Sequence, residues 1–221
     1  MVIAAWPAPD GEEYAVAFDR GRERRILVLP ALFDEANKLR RFTVEVMRRL
    51  DARGVDAILP DLPGCNESLA PLAEQSLHDW RQAAEAAAAH FRTTHALAIR
   101  GGALCAPDNL PAWRYAPATG SSILRAMLRA RVIASKEAGI EETREGLLER
   151  GREAGLELAG YRLGAGMIRE LELAEPSGGA ALANVAQSDL SGGGLWLRAE
   201  PDHDPAQAEA LAAIVAADPA A

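Results

Sequence analysis

The sequence predicts an α/β fold, a mostly parallel sheet flanked by helices. Apolar strand-like segments alternate with amphipathic helical segments between residues 25 and 115, which is the pattern of βαβ units. The segment 25–30 is almost entirely apolar, as expected of a strand buried on both faces in the middle of a sheet. At 221 residues, 49% hydrophobic and 25% charged, the chain has the size and composition of a single domain, 1–221.

An antiparallel hairpin is predicted at the start of the chain. Residues 13–18 have a strand pattern, a turn follows at 19–22, and the strand at 25–30 would return beside the first. The arginines around the turn are Arg20, Arg22, Arg24 and Arg25. They could form a basic patch, but a solvated hairpin turn is the favoured interpretation.

The strand at 25–30 is followed by a predicted helix. Asp34 is the expected N-cap, with Asn37 as the alternative, and Gly54 ends the helix. Its apolar residues recur at helical spacing and should share one buried face: Leu39, Phe42, Val46, Met47 and Leu50.

The later elements continue the alternation. Ser76 is a good N-cap for a helix at 77–91, and Asp79 suits the positive end of the helix dipole. Asp204 and Pro205 start a closing helix. Further strands are predicted at 55–59, 95–99, 112–115 and 195–199. The helical segments within 120–173 exceed what one crossover needs, so this stretch is predicted to be a small lid inserted over the sheet.

Charge and composition exclude several partners. The formal net charge of −8 disfavours nucleic acid, because an acidic surface repels phosphate backbones. We expect no membrane span, since no run of about 18 apolar residues occurs, and no signal peptide. Two cysteines without regular spacing indicate reduced thiols and a cytoplasmic protein.

The most informative stretch is the turn that follows the strand at 95–99. In an α/β-hydrolase this position holds the nucleophile elbow, Gly-x-Ser-x-Gly. Here the five residues 98–102 are Ala-Ile-Arg-Gly-Gly, so Arg100 stands where the serine would be. A guanidinium stays protonated and cannot act as a nucleophile.

Segments on both sides of this turn carry a resemblance to a known family. They are Leu-Val-Leu-Pro-Ala-Leu-Phe-Asp-Glu-Ala-Asn-Lys at 27–38, Pro-Asp-Leu-Pro-Gly-Cys at 60–65, Ser-Leu-His-Asp-Trp at 76–80, Trp-Arg-Tyr-Ala-Pro at 113–117 and Ala-Gly-Tyr-Arg-Leu at 159–163. Over roughly residues 13–200 the chain resembles the α/β-hydrolase-like proteins associated with the exosortase A system. The resemblance implies a hydrolase-like sheet order, arginine as a common elbow residue, and a Gram-negative bacterial source with exopolysaccharide or protein-sorting loci.

The chain departs from a working hydrolase at a second point. A triad runs in the order nucleophile, acid, histidine, yet His203 is the only histidine after the elbow. It follows the strand that would supply the acid, and one helix comes after it. We therefore expect a shortened carboxyl end that lacks the final strand and its histidine loop, and we assign no catalytic histidine.

Arg100 has two interpretations. With the backbone N–H groups of Gly101 and the following helix N-terminus, its guanidinium could bind a carboxylate or phosphate. Alternatively it forms a structural ion pair with Asp61, Glu35 or Asp34, because buried arginines are usually paired. The ion pair is slightly favoured.

Four further residues could belong to the site. Leu32 and Phe33 lie where a hydrolase places one oxyanion-hole amide, although a plain strand-to-helix connection is favoured when no nucleophile is present. Asn37 could orient a loop through backbone amides. Asp61 could accept a hydrogen bond from Arg100 or form an Asx-type turn. Lys38 is expected to be a solvated helix residue.

Other nucleophiles and metal ligands are weak candidates. Cys105 is interpreted as a small buried hydrophobe inside the helix after the elbow, and nothing activates Cys65 or Ser68. His203 has two flanking aspartates but no second ligand cluster, so no metal site is expected. The other histidines, His78, His90 and His95, lack a partner at the spacing of a helical zinc site. Trp80 and Trp113 are expected to pack in the core.

Three functional hypotheses follow. The first is a pseudoenzyme without cofactor that binds a small anionic or acyl ligand near Arg100. The second is an ester or thioester hydrolase with a displaced nucleophile or a partner's histidine. The third is an interaction module whose open sheet edge pairs with another chain, for example as a homodimer.

Overall fold

A computed structural model describes residues 1–176 and 181–217. The strands are β1 Val2–Ala8, β2 Gly11–Phe18, β3 Arg25–Leu29, β4 Asp56–Pro60, β5 His95–Ile99, β6 Ala112–Tyr115, β7 Leu156–Leu158, β8 Tyr161–Leu163 and β9 Ala181–Val185. The α-helices are α1 Asp34–Ala52, α2 Leu77–His90, α3 Gly120–Glu137, α4 Arg144–Ala154, α5 Ala165–Leu173 and α6 Pro205–Ala216.

Seven strands form one mixed sheet in the order β1-β2-β4-β3-β5-β6-β9, and β7 and β8 form a separate hairpin. Strands β4, β3, β5, β6 and β9 are parallel to one another, whereas β1 and β2 are antiparallel. The predicted fold class is confirmed. The loops after β3, β5 and β6 consequently meet at one edge of the sheet.

The predicted pairing of the opening hairpin is wrong. Strand β2 pairs with β1 and β4, while β3 pairs with β4 and β5. Strand β4 lies between β2 and β3, and its first residue, the fully buried Asp56, is bonded to the turn that connects them. The Asp56 carboxylate accepts hydrogen bonds from the backbone N–H groups of Arg20 and Arg22 at 3.1 and 2.8 Å. The arginine-rich turn is therefore anchored to a buried acid.

The last strand is also placed differently from the prediction. Residues 195–199 contain a short 3-10 turn, Leu195–Leu197, whereas β9 lies earlier, beside β6. Helix α1 begins one residue earlier than expected: Phe33 occupies the N-cap position, and Asp34 lies in the first turn. There Asp34 forms an ion pair of 2.8 Å with Lys38.

The core has two layers, one on each face of the sheet. Helices α1 and α6 cover one face, and every apolar position predicted for α1 is buried. Helices α2, α3 and α5 contribute to the opposite face. Helix α2 begins with the expected Ser76 cap, which forms a capping box with Asp79. Within the described residues, no helix is both long and apolar enough to cross a membrane.

Candidate functional site

The turn after β5 has a strained backbone. Arg100 has a φ of 53°, a left-handed conformation that side-chain-bearing residues rarely adopt. A Cβ atom on Gly102 would lie 2.5 Å from the carbonyl oxygens of both Leu29 and Pro30, so this position requires glycine. A 3-10 turn, Arg100–Leu104, follows β5 instead of the predicted helix. There is accordingly no helix N-terminus at Gly101 to assist in binding an anion.

The guanidinium of Arg100 is held from three sides. Its Nε and Nη2 donate to the two carboxylate oxygens of Glu35 at 3.0 and 2.9 Å. Its Nη1 donates to the carbonyl oxygen of Ala116 at 2.8 Å. The Trp196 ring packs against the guanidinium with 4.1 Å between Cζ and the ring centroid. Glu35 is thus the partner among the three acids considered, and Arg100 keeps a 16% exposed side chain.

Two neighbours of Arg100 share its unusual backbone conformation. Phe33, in the loop after β3, has a φ of 55°, and Ala116, directly after β6, has a φ of 43°. Three adjacent parallel strands therefore each end in a loop with a strained non-glycine residue. Such residues cluster at functional sites, where the surrounding structure holds them in place.

A cavity of about 310 Å³ opens beside Arg100. Its charged wall contains two ion pairs, Arg100 with Glu35 and Lys38 with Asp34. Most of the other lining residues are apolar, and they come from the loop after β3, helix α3, the β7–β8 turn and the 3-10 turn at 195–197: Leu32, Phe33, Ile123, Ala126, Met127, Ala130, Ala159, Trp196 and Leu197.

Gly101 lies under two apolar side chains that line this cavity. A Cβ atom there would be 2.7 Å from Ile123 Cδ1 and 3.0 Å from Leu32 Cγ. Leu32 therefore packs at the elbow. Ser122 is the hydroxyl residue of the lining, and its Oγ donates to the carbonyl oxygen of Thr119 at 2.8 Å.

Asn37 and Asp61 lie away from Arg100, around a second cavity of about 200 Å³. Asn37 lines it and donates from Nδ2 to the Tyr161 hydroxyl at 2.9 Å. Asp61 is buried behind the wall and accepts a hydrogen bond of 2.6 Å from Asn66. Burial raises the pKa of Asp61 above its usual value of 3.8. Neither predicted residue contacts the Arg100 guanidinium in the part of the chain described.

The alternative nucleophiles lack activation. Burial raises the pKa of both Cys65 and Cys105 to about 12, so neither thiol forms a thiolate readily. Cys105 closes the 3-10 turn after the elbow, not a longer helix as predicted. Ser68 donates its hydroxyl proton to Glu13 at 2.6 Å.

None of the histidines reaches the cavity beside Arg100. The imidazole of His203 contributes to lowering the pKa of Glu45, which places it near the middle of α1. Glu45 is ten residues beyond Glu35, about 15 Å along the helix. Among residues 1–176 and 181–217, no histidine lines either of the two cavities. The same part of the chain contains no cluster of three metal-ligating side chains.

The sequence did not single out Trp196 or the α3 residues of the cavity. Trp196 was expected in a strand, whereas the turn at 195–197 directs it onto Arg100. The helical pattern of α3 identifies Ile123 and Met127 as apolar, but it does not show that they face the elbow.

These features place the chain among proteins with the α/β-hydrolase fold. The sequence matches no protein-family model and no curated protein. Solved structures are similar: mouse alpha/beta hydrolase domain-containing protein 10 has a TM-score of 0.50 and 14% identity over 78% of this chain and 70% of its own. Est1E from Butyrivibrio proteoclasticus, solved with ferulic acid, has a TM-score of 0.46 and 15% sequence identity. That match covers 78% of this chain and 72% of Est1E.

A third similar structure is a putative hydrolase from Agrobacterium vitis S4. Its TM-score is 0.43 at 17% identity, and the match covers 61% of this chain and 59% of that one. The present chain therefore spans less than two thirds of that protein's length. At these identities the likeness concerns the fold alone.

Proposed function

We propose that this protein is a non-catalytic α/β-hydrolase-like protein that binds a small ligand in the cavity beside Arg100. The ligand has an apolar body and a carboxylate or similar anionic head group. The observation that carries the proposal is Arg100 itself: a permanent cation occupies the strained elbow position at the wall of a mainly apolar cavity.

The hydrogen-bonding capacity of Arg100 supports an anionic head group. A guanidinium has five N–H donors, and contacts with Glu35 and Ala116 use three of them in the described structure. The two others remain for a ligand, and planar N–H pairs favour carboxylate oxygens. Glu35 limits the affinity, because its negative charge lies beside the ligand's head group.

The cavity volume supports a short acyl chain. At roughly 30 Å³ per water-sized group, 310 Å³ accommodates about ten non-hydrogen atoms. Octanoate has that size. The side chains of Leu32, Ile123 and Met127 would contact the chain and exclude water from it.

The segment 120–173 is proposed to be the lid of this cavity. Helix α3 supplies one wall through Ile123, Ala126 and Met127, and the β7–β8 turn adds Ala159. Release of this segment from the sheet would expose the ligand. A relationship to the exosortase A-associated proteins and a cytoplasmic location are part of the same proposal, supported by the motifs at 27–38 and 113–117 and by two free cysteines.

Calorimetric titration with octanoate, and with octanamide as its neutral isostere, tests the binding. We expect octanoate to bind at least about tenfold more tightly, the value of one charge-assisted hydrogen bond. Arg100→Leu should remove this preference, and Glu35→Gln should strengthen octanoate binding by uncovering the Arg100 charge. Arg41→Leu, at an exposed position of α1, is the matched control and should change nothing. Equal affinity for acid and amide would contradict the proposal.

Turnover of p-nitrophenyl butyrate and of an acyl thioester tests the absence of catalysis. We expect rates equal to buffer alone. A rate above that background which disappears in Cys65→Ala, Cys105→Ala or Ser68→Ala would show a displaced nucleophile and overturn the proposal.

A further inference from the structure

The second cavity is lined by aromatic rings. Phe33, Trp80 and Tyr161 come from the loop after β3, helix α2 and strand β8, and all three line the 200 Å³ space. The ring centroids of Phe33 and Trp80 are 5.5 Å apart, and those of Phe33 and Tyr161 are 5.6 Å apart at an interplanar angle of 70°. The Phe33 ring is thus inclined by 38° to Trp80 and by 70° to Tyr161 at the wall of a small cavity.

The charge around this cavity differs from that of the first. No lysine or arginine is among the described residues that line it. Behind the wall formed by Cys65 and Asn66 lie two buried carboxylates, Asp61 and Glu13. Burial raises the pKa of the Cys65 thiol, and the negative charges of both carboxylates add to that rise, as expected if they lie close behind this wall.

Glu13 is incompletely compensated, whereas Asp61 accepts hydrogen bonds from Asn66 and from the backbone of Glu67. Glu13 Oε2 is buried and has no hydrogen-bond partner among residues 1–176 and 181–217. Asp61 Oδ1 lies 3.9 Å from Arg40 Nη1, and the Arg40 side chain is 39% exposed, so solvent screens that pair. A cation in the cavity would gain from both acids and would share Asp61 with Arg40, which is not among the described residues of the lining.

We propose that the cavity lined by Phe33, Trp80 and Tyr161 binds an organic cation of the methylated ammonium class. Aromatic faces attract such cations through their quadrupoles, and the attraction is largest in desolvated sites. A trimethylammonium group has four non-hydrogen atoms, roughly 120 Å³ at 30 Å³ each, which fits the 200 Å³ available. This site is separate from the cavity beside Arg100, and Phe33 belongs to the wall of both.

Titration with choline chloride at constant ionic strength, followed by calorimetry, tests this site. 3,3-Dimethyl-1-butanol is the matched neutral ligand, since it has the same shape without the charge. We expect choline to bind at least about tenfold more tightly than the alcohol. Equal binding of the two, or no binding of choline, would overturn the proposal.

Variants then assign the binding to this cavity. Tyr161→Leu, which removes a ring, and Asp61→Asn, which removes a charge but keeps an acceptor for Asn66, should each weaken choline binding about fivefold or more. Tyr161→Phe keeps the ring and should bind choline as the natural protein does. Choline affinity unchanged in both Tyr161→Leu and Asp61→Asn would overturn the assignment.

A second experiment distinguishes a lipid head group from a free soluble cation as the natural ligand. Co-sedimentation with phosphatidylcholine vesicles, compared with phosphatidylglycerol vesicles, measures recognition of a lipid head group. Sedimentation with phosphatidylcholine alone, lost in Tyr161→Leu, would support a lipid ligand. Binding of free choline without sedimentation would support a small soluble cation, because the cavity is then closed to a membrane surface.

Discussion

Three residues in the loops after β3, β5 and β6 have positive φ angles: Phe33, Arg100 and Ala116. Each such conformation costs about 1–3 kcal/mol and persists only where neighbouring contacts compensate. Here the compensation is visible, because Arg100 donates to the Ala116 carbonyl and Phe33 packs on Trp80 and Tyr161. The strain at each position is therefore tied to a side chain that lines a cavity.

At the residue scale, Glu13 gives a prediction about pH. Burial and the negative charge of Asp61 raise its pKa above 4.5, while a hydrogen bond from Ser68 opposes the shift. The folded protein binds this proton more tightly than the unfolded chain does. The contribution of Glu13 to folding stability should consequently rise as the pH falls through its raised pKa and level off below 4.5, because protonation removes an unfavourable buried charge.

Glu13→Gln should remove part of this rise, since the amide is neutral at every pH and still accepts a hydrogen bond from Ser68. Urea unfolding at pH 7, 6 and 5 measures the effect as the difference between variant and natural protein. Glu12→Gln is the control, because Glu12 is exposed on the same strand. Parallel pH profiles for the natural protein and Glu13→Gln would contradict the assigned pKa shift.

The partner of Arg100 shows the limit of sequence reasoning at this scale. Residues 98–102 alone identify the elbow position and the arginine that occupies it. Glu35, Asp34 and Asp61 were equally placed candidates, because all three follow strands that end at the same edge. The choice of Glu35 depends on where α1 begins: with Phe33 at the N-cap position, Glu35 lies in the first turn and its two oxygens reach Arg100.

At the element scale, helix α2 depends on its capping box. Ser76 accepts a hydrogen bond from the Asp79 N–H, and the Asp79 carboxylate accepts bonds of 2.8 and 2.6 Å from the Ser76 N–H and hydroxyl. Ser76→Ala should lower the free energy of unfolding by about 1 kcal/mol. Urea denaturation followed by circular dichroism measures this loss. Ser76→Thr restores the hydroxyl and should recover most of it; equal stability of the two variants would contradict the cap.

The sequence predicts the elements better than their partners. Strands β5 and β6 and helix α2 were predicted within a residue of their bounds, because apolar periodicity and a cap mark them locally. The pairing of β2 with β1 and β4 was not predicted, since antiparallel neighbours are chosen by long-range contacts such as the Asp56 anchor. Strand β1 was not predicted either, and β9 was missed in favour of residues 195–199.

At the scale of the whole molecule, the two edges of the central sheet have different roles. The amino edge contains a network of charged side chains around Asp56, and the carboxyl edge contains the strained loops and both cavities. Arg25 and Leu29 mark the two ends of β3, and the four residue steps between them correspond to about 13 Å. Substitutions at the amino edge should thus alter folding stability without altering ligand affinity.

Asp56→Ala tests this separation. Asp56 is fully buried, and besides two backbone N–H groups it accepts from Arg22 Nη1 at 3.0 Å and Arg25 Nη1 at 3.2 Å. Its loss leaves two arginines facing a buried space, so the free energy of unfolding should fall by about 3 kcal/mol or more. Asp10→Ala, in the exposed β1–β2 turn, is the control, and its free energy of unfolding should lie within about 0.5 kcal/mol of that of the natural protein.

Urea unfolding gives the stability, and octanoate titration of the folded variant gives the affinity. Asp56→Ala with natural octanoate affinity and reduced stability is the expected result. A folded Asp56→Ala protein with weakened octanoate binding would show instead that the amino edge shapes the cavity beside Arg100.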